Sequence, residues 1–318
     1  MPFDEIRGHG RQVLILQAML RSGHLPHAFL FTGIEGIGKR AVATGFVKAL
    51  NCLTLSDDFC GQCLQCRKVD KQIHPDVMIV EPLPEKKGLI IEQIRSLQQD
   101  IIFKPLEGKK KAVIIDQAEK MNASVANCLL KTLEEPPEDT VLVLIAHSVS
   151  DMLPTVLSRC QRLHFSPLSD EDIRAVLAGQ GIGFEQAAQL VPLAQGSLQR
   201  ALMLAAGDFV ARREKIAARL SQGAAAALKL AADLAGDEEQ LPLVLEFLES
   251  WYRDLLVLLE GAGDARLYNG DLFDGLAKAA AGATRHAVVE KIRRLRRLQT
   301  DAAFNPDMQL GLEAVLLQ

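Results

Sequence analysis

The chain has 318 residues, of which 36 are basic and 40 are acidic, so its formal net charge is −4. This charge excludes an overall positive field that would attract nucleic acid by counterion release, and any contact with DNA has to be local or shared with a partner. Hydrophobic residues make up 48% and aromatic residues only 5% of the sequence, which favours helices over an all-β fold, and the length predicts two or three domains.

The first half of the chain alternates short apolar runs with helical patterns, which is typical of a parallel sheet with crossover helices. The apolar runs predict strands at residues 27–31, 77–80, 112–115, 141–146 and 162–165. Between the third and fourth of these strands, Asn122 is placed to cap a helix that Pro136 and Pro137 end. An α/β domain is therefore predicted for residues 1–167.

A glycine-rich segment, GIEGIGK at residues 33–39, follows the first predicted strand and matches seven positions of a Walker A phosphate-binding loop. The curled backbone of such a loop, whose N–H groups point at phosphates, requires glycines, here Gly33, Gly36 and Gly38. Lys39 supplies a positive charge, but the eighth position holds Arg40 instead of the Ser or Thr that binds Mg²⁺. The loop predicts a nucleotide-binding ancestry with impaired hydrolysis, and it leaves open whether ATP or ADP is still bound.

Four of the six cysteines are clustered in the segment 52–66, as Cys52, Cys60, Cys63 and Cys66. Thiolates at these spacings can close a tetrahedral Zn²⁺ site, and four sulfur ligands leave no open position for catalysis. The beginning of the chain lacks the basic and apolar regions of a signal peptide, and no long uninterrupted apolar segment is present, so a cytoplasmic protein without a membrane span is expected. Disulfides are disfavoured in that compartment, and the cluster is therefore interpreted as a structural zinc module.

The third predicted strand ends in Asp116, which is how a Walker B carboxylate reaches a metal ion. The next residue of such a motif is a Glu that orients the attacking water, but here it is Gln117, whose amide cannot accept a proton. Glu119 is interpreted as a solvated surface carboxylate. The sequence thus predicts a second defect in the same site.

Strand signals end after residue 167. Ser169 and Asp172 have the spacing of a capping box and open a predicted helix, and two further short helices follow, at 185–193 and 197–206. A small helical lid domain is therefore predicted for residues 168–207. Longer amphipathic helices predict a third, all-helical domain for residues 208–318.

The segment CLLKTLEEPP at 128–137, followed by Ser158-Arg159-Cys160, resembles the signature of bacterial clamp-loader subunits, the gamma/tau and delta-prime branch of AAA+ proteins. The resemblance covers nearly the whole chain, since it extends to residues 74–76, 104–106, 196–202, 305–306 and 310–316. It implies a RecA-like P-loop domain with a parallel sheet, a small helical lid and a C-terminal helical collar. It also implies that the four clustered cysteines hold structural zinc.

By this resemblance Arg159 is an arginine finger, which reaches across a subunit boundary to the ATP of the next subunit. A guanidinium is always charged and offers a planar set of donors to γ-phosphate oxygens. The alternative for Arg159 is a structural salt bridge at the start of a strand. The resemblance also implies that the lid has lost a sensor arginine, because Gln199 stands at its position.

Three substitutions, Arg40, Gln117 and Gln199, predict an inactive ATPase site beside an intact finger that serves a neighbour. This combination favours the stator-like delta-prime branch over the alternative, an ATP-hydrolysing gamma/tau motor subunit. A P-loop kinase with a zinc lid is disfavoured, since it would leave the third domain without a role. The implied partners are gamma/tau and delta subunits in a hetero-oligomeric ring of the DNA polymerase III holoenzyme, with the sliding clamp and primed DNA reached through the complex.

Overall fold

The computed structural model describes residues 2–83, 86, 88–150, 152–206, 209–220, 222, 224–237, 241–261, 267–301 and 307–317. The resemblance at residues 305–306 and the predicted boundary at 207–208 lie outside these residues. The chain folds into two compact units, one from residues 1–176 with 196–200 and the other from 177–195 with 201–318. Across the described ranges, no helix is both long and apolar enough to cross a membrane.

The first unit contains five strands, namely β1 Ala28–Thr32, β2 Val77–Val80, β3 Lys111–Ile115, β4 Thr140–Ala146 and β5 Gln161–His164. They form one parallel sheet in the order β2-β3-β4-β1-β5. Each strand agrees with its predicted position to within one residue at either end. The predicted parallel α/β fold is therefore confirmed for this part of the chain.

The three central strands, β1, β3 and β4, are buried along their whole length. Burial on both faces explains why they have almost uninterrupted apolar sequences. The register pairs Thr32 with Ala146 and Ile115 with Leu144, so the carboxyl ends of these strands lie at one edge of the sheet. In open α/β sheets this edge is where ligands bind.

The helices of the first unit are α1 Gly10–Ser22, α2 Lys39–Asn51, α3 Leu64–Asp70, α4 Ile91–Ile101, α5 Ala123–Glu134 and α6 Pro154–Leu157. The predicted start of α5 is confirmed, because Asn122 Oδ1 accepts a hydrogen bond from the Val125 N–H at 3.0 Å. The apolar face of α5, including Leu129 and Leu133, packs into a cluster with Ile115 of β3. This packing fixes both ends of α5 relative to the sheet.

Helices follow the sheet to the end of the described chain. They are α7 Asp170–Gly179, α8 Phe184–Ala194, α9 Leu198–Ala206, α10 Phe209–Leu220, α11 Ala224–Ala235, α12 Leu241–Leu259, α13 Phe273–Ala281, α14 Arg285–Asp301 and α15 Met308–Leu316. The N-cap half of the predicted capping box before α7 is confirmed, since Ser169 Oγ accepts the Asp172 N–H at 3.1 Å, while the Asp172 carboxylate accepts the Ser169 hydroxyl at 2.7 Å. The predicted all-helical second half is confirmed, while its division into lid and collar stays a prediction.

Candidate phosphate loop, metal cluster and arginine

The glycine-rich segment 33–39, called the phosphate loop below, connects β1 to α2 at the carboxyl edge of the sheet. Gly33, Gly36 and Gly38 all have positive φ angles, of 149°, 76° and 98°, which side chains rarely adopt. Two of these glycines are also crowded. A Cβ on Gly33 would lie 2.3 Å from the Phe165 carbonyl oxygen, and one on Gly36 would lie 2.3 Å from Ser197 Oγ. The structure therefore requires glycine at these positions for backbone reasons.

Lys39 is buried within this loop. Its ammonium group donates hydrogen bonds to the carbonyl oxygens of Gly33, at 2.5 Å, and Ile34, at 2.7 Å. Burial lowers the pKa of Lys39, and the carboxylates of Glu119 and Asp116 partly offset this effect. The ammonium group of the lysine that is expected to bind phosphate thus already has hydrogen-bond acceptors within its own loop.

Arg40 lies in the first turn of α2 and crosses to the ends of two strands. Its Nη1 donates to Asp116 Oδ2 at 3.1 Å and to Glu81 Oε2 at 2.6 Å. A guanidinium group therefore binds the carboxylate that reaches a metal ion in a Walker B motif. The sequence predicted the lost hydroxyl at this position but not the ion pair, because the approach of Glu81 depends on the pairing of β2 with β3.

The chain turns sharply after Asp116. Gln117 has a φ of 53° and a ψ of 46°, a left-handed conformation, and a single 3-10 turn follows at Ala118–Lys120. This turn directs Glu119 back towards the sheet, where its side chain is only 10% exposed and lies 3.5 Å from His147 Nε2. The interpretation of Glu119 as a solvated surface carboxylate is therefore wrong: the left-handed Gln117 leads into a tight turn, and the Glu119 carboxylate accepts the His147 N–H at 3.3 Å.

The segment 196–200 contacts the phosphate loop within the first unit. The Gln199 backbone N–H donates to the Gly36 carbonyl oxygen at 3.1 Å. A Cβ on Gly36 would lie 2.5 Å from the Gln199 Cβ, which shows how closely the two backbones approach. Gln199 is thus close to the loop, and its side chain is a neutral amide.

The four clustered cysteines come together in space. The sulfur atoms of Cys52, Cys60, Cys63 and Cys66 all lie within 4.8 Å of one another. Zinc–sulfur bonds of about 2.3 Å place the sulfurs of a tetrahedral site roughly 3.8 Å apart, so a small contraction closes the cluster around one ion. The Cys63 N–H points at Cys60 Sγ, at 3.2 Å, and the Cys66 N–H at Cys63 Sγ, at 3.5 Å. Such N–H donors stabilise thiolate ligands, and the residues therefore fit a four-sulfur metal site.

The pKa values of two of the four thiols are shifted in opposite directions. Hydrogen bonds from the Thr54 hydroxyl and from the backbone of Cys63 and Gln62 lower the pKa of the Cys60 thiol to about 6. Burial raises the pKa of the Cys66 thiol. A bound metal ion would supply the positive charge that the buried thiolate needs.

The cysteine module is attached to the rest of the first unit at several points. The Phe59 ring packs edge-on against Phe3, with 5.2 Å between the ring centroids. Gln65 Nε2 donates to the Glu107 carbonyl oxygen at 3.0 Å, and Lys109 Nζ donates to the Cys52 carbonyl oxygen at 2.6 Å. The module therefore supports the loop that leads into β3.

Asp76 also holds the loop that leads into β3. It is fully buried, and its carboxylate accepts the N–H groups of Leu106, Glu107 and Gly108 at 2.7, 2.8 and 2.7 Å. Burial acts to raise the pKa of Asp76, but the three hydrogen bonds outweigh it and the pKa is lowered. The segment 74–76 that contributed to the family resemblance thus has an anchoring role.

Arg159 lies in the turn between α6 and β5. Its Nη2 donates to Glu134 Oε1 at 2.6 Å, and its Nη1 donates to the Thr155 carbonyl oxygen at 2.9 Å and to Ser158 Oγ at 3.1 Å. The side chain is 33% exposed. The structural salt bridge considered for Arg159 is therefore present in the single chain, and the guanidinium is accessible from outside.

The parallel sheet and the glycine-rich loop between β1 and α2 define an α/β protein with a P-loop-like segment. The sequence model of the family described as "DNA polymerase III, delta subunit" matches residues 8–169, just over half of the chain. The DNA polymerase III subunit delta' of Bacillus subtilis is 30% identical over 316 residues, which cover 96% of this chain and 94% of that protein. The chain belongs to the clamp-loader family of DNA polymerase III subunits that comprises delta-prime, gamma and tau.

The match is not limited to one branch of this family. The DNA polymerase III subunit tau of Escherichia coli is 28% identical over 347 aligned positions, which cover 99% of this chain and 53% of that protein. Among solved structures, the Bacillus subtilis DNA clamp loader delta protein covers 96% of this chain and 98% of its own, with 16% identity and a TM-score of 0.37.

Proposed function

We propose that this chain is a stator-like delta-prime subunit of the DNA polymerase III clamp loader. In this role it supplies Arg159 in trans to the ATPase site of a neighbouring subunit and helps to load the sliding clamp onto primed DNA during replication. The observation that carries the proposal is the contrast between an accessible Arg159 and a phosphate loop whose own charges are already paired. The match to a delta' subunit over nearly the full length of both chains supports it.

The home site is poorly suited to hydrolysis. The loop glycines and Lys39 are the groups that would hold the phosphates of ATP or ADP. Arg40 binds Asp116 and occupies it with a fixed positive charge, while hydrolysis needs Mg²⁺ at such a carboxylate. Gln117 cannot act as a base, and its backbone turns left-handed. These features support a subunit that assists ATP turnover elsewhere.

Arg159 has the chemistry that a neighbouring site requires. Its planar guanidinium can donate two parallel hydrogen bonds to phosphate oxygens, and it stays charged at every physiological pH. In other phosphoryl-transfer systems, fingers of this kind contribute on the order of 10³–10⁵ to the rate. The partners proposed for this step are gamma/tau motor subunits, with delta completing the ring.

The cysteine cluster is proposed to hold one structural Zn²⁺. Four thiolates would complete the coordination of the ion, which would therefore cross-link the module and take no part in hydrolysis. The contacts from Gln65 to Glu107 and from Lys109 to Cys52 support a role in holding the loop before β3.

The proposal is tested by R159A in a clamp loader reconstituted with its cognate gamma/tau and delta subunits. The site next to Arg159 is expected to lose turnover by about 10³-fold or more, so total ATP turnover falls by the share of that site. R162A is the matched control, because Arg162 is an exposed arginine three positions further along. Assembly is checked by size exclusion. An assembled R159A loader that hydrolyses ATP like the R162A loader would remove the finger role.

The alternative is an ATP-hydrolysing motor subunit, which the similarity to tau favours. The purified chain alone distinguishes the two, because a motor subunit hydrolyses ATP through its own phosphate loop. The stator-like role predicts no Mg²⁺-dependent turnover above background, and brisk turnover that is abolished by K39A would support the motor.

A further inference from the structure

Glu134 occupies an unusual position for an acidic residue. It is the last residue of α5, whose final turn also carries Lys131. The carbonyl groups at the end of a helix carry a partial negative charge, which disfavours an adjacent carboxylate. Glu134 is compensated by Arg159, whose Nη2 lies 2.6 Å from Glu134 Oε1. In the described part of the chain, this is the one ion pair formed by either residue.

The contacts of Arg159 fall into two groups. Nη1 is held by the Thr155 carbonyl oxygen and Ser158 Oγ, which belong to the same turn. These contacts hold one of the two terminal nitrogens within the turn that carries Arg159. Nη2 is held only by Glu134 among the described residues, and it is one of the donors that a phosphate group would use. A phosphate from a neighbour and the Glu134 carboxylate would therefore compete for the same N–H groups.

We propose that Glu134 is a positioning residue that restrains Arg159 on its own subunit until a neighbouring phosphate displaces it. This inference rests on the trans role proposed for Arg159 and concerns the regulation of that contact. The ion pair is exposed, with 33% of the arginine and 48% of the glutamate side chain accessible. Pairs of this kind shift an equilibrium by about 5-fold at most, so a multiply charged phosphate can displace the carboxylate.

The restraint affects ATP binding and the transition state equally, because the guanidinium has to leave Glu134 before it meets phosphate in either state. Removing the restraint therefore strengthens both by the same factor, which lowers KM and leaves kcat unchanged. E134Q keeps the size and shape of the side chain and removes its charge. We expect E134Q to lower the KM for ATP of the reconstituted loader by about 2- to 5-fold.

The matched control is E135Q. Glu135 is the next residue, it is exposed, and its removal takes one negative charge from the same helix end without touching Arg159. A general electrostatic effect of that helix end would change KM equally in E134Q and E135Q. The proposal requires the change in E134Q alone, with all three proteins folded and assembled into the loader to the same extent.

A double variant separates the two proposals. In an R159A background, E134Q is expected to have no further effect on KM or kcat, because the restrained side chain is absent. If R159A itself leaves ATP turnover unchanged, the finger role fails. If R159A reduces turnover but E134Q behaves like E135Q, or raises KM, or changes kcat in either direction, the finger role stands and the restraint is refuted. An effect of E134Q that persists in R159A would also refute it.

Discussion

Replacement of Arg40 by Thr is expected to create a metal-dependent affinity for nucleotide that the native chain lacks. R40T supplies the hydroxyl that the eighth position of a Walker A loop provides, and it releases Asp116 from the guanidinium. Both changes act on the same feature, the site at which Mg²⁺ would bind. The phosphate loop itself stays unchanged.

The free-energy cost of R40T is small. Arg40 forms ion pairs with Glu81 and Asp116, and its side chain is 42% exposed. The exposed pair with Glu81 contributes about 0.2–1 kcal/mol and the pair with Asp116, which is 15% exposed, contributes more, so the variant loses about 2 kcal/mol of unfolding free energy and melts a few degrees lower. A nucleotide at a concentration 100-fold above its Kd adds about 2.7 kcal/mol. R40T should therefore be less stable than the native chain without ligand and more stable with it.

The assay is thermal unfolding with a non-hydrolysable ATP analogue, in Mg²⁺ and in EDTA, followed by calorimetric titration. R40A is the control, because it loses the same ion pairs and gains no hydroxyl. Stabilisation that requires Mg²⁺ should occur in R40T alone. Equal Mg²⁺-dependent stabilisation of the native chain, or none in R40T, would refute the reasoning that Arg40 takes the place of the metal ion.

Two further predictions concern the module and the loop beside it. Metal analysis of the purified chain should find about one zinc per chain. The C66S variant should lose this zinc, whereas C128S, which changes a cysteine outside the cluster, should keep it. A native chain without metal would contradict this prediction. D76N should lower the unfolding free energy in urea by about 3 kcal/mol, because one oxygen that accepts buried N–H groups becomes a donor. The folded pKa of Asp76 lies below its ordinary 3.8, so the stabilisation by its carboxylate is present above that pH and is lost as the pH falls further. The difference in unfolding free energy between the native chain and D76N should therefore shrink in acid. A difference that is constant down to pH 2 would show that the carboxylate charge is not involved.

The elements of the first unit could be predicted because local signals and tertiary packing agree. The central strands are buried on both faces and therefore appear in the sequence as apolar runs, and Asn122 caps α5 through a contact three residues away. The cysteine cluster was predictable from spacing alone, since its ligands are close in sequence.

The unpredicted features depend on contacts between distant parts of the chain or on a single backbone angle. Glu81 reaches Arg40 only because β2 pairs with β3. Glu134 meets Arg159 across 25 residues of sequence. Glu119 turns inward because Gln117 adopts a left-handed conformation, which no side-chain pattern indicates. Ion pairs and turn geometry of this kind have no periodicity that a sequence could reveal.

The crowding around the phosphate loop has a consequence for how such motifs persist. Neither Gly33 nor Gly36 has room for a methyl group, whatever the loop binds. Backbone packing alone would therefore preserve these two glycines even in a chain that no longer hydrolysed nucleotide. In this protein the glycine pattern reports the shape of the backbone. Whether the loop can bind or hydrolyse nucleotide depends on the side chains around it, such as Lys39, Arg40 and Asp116.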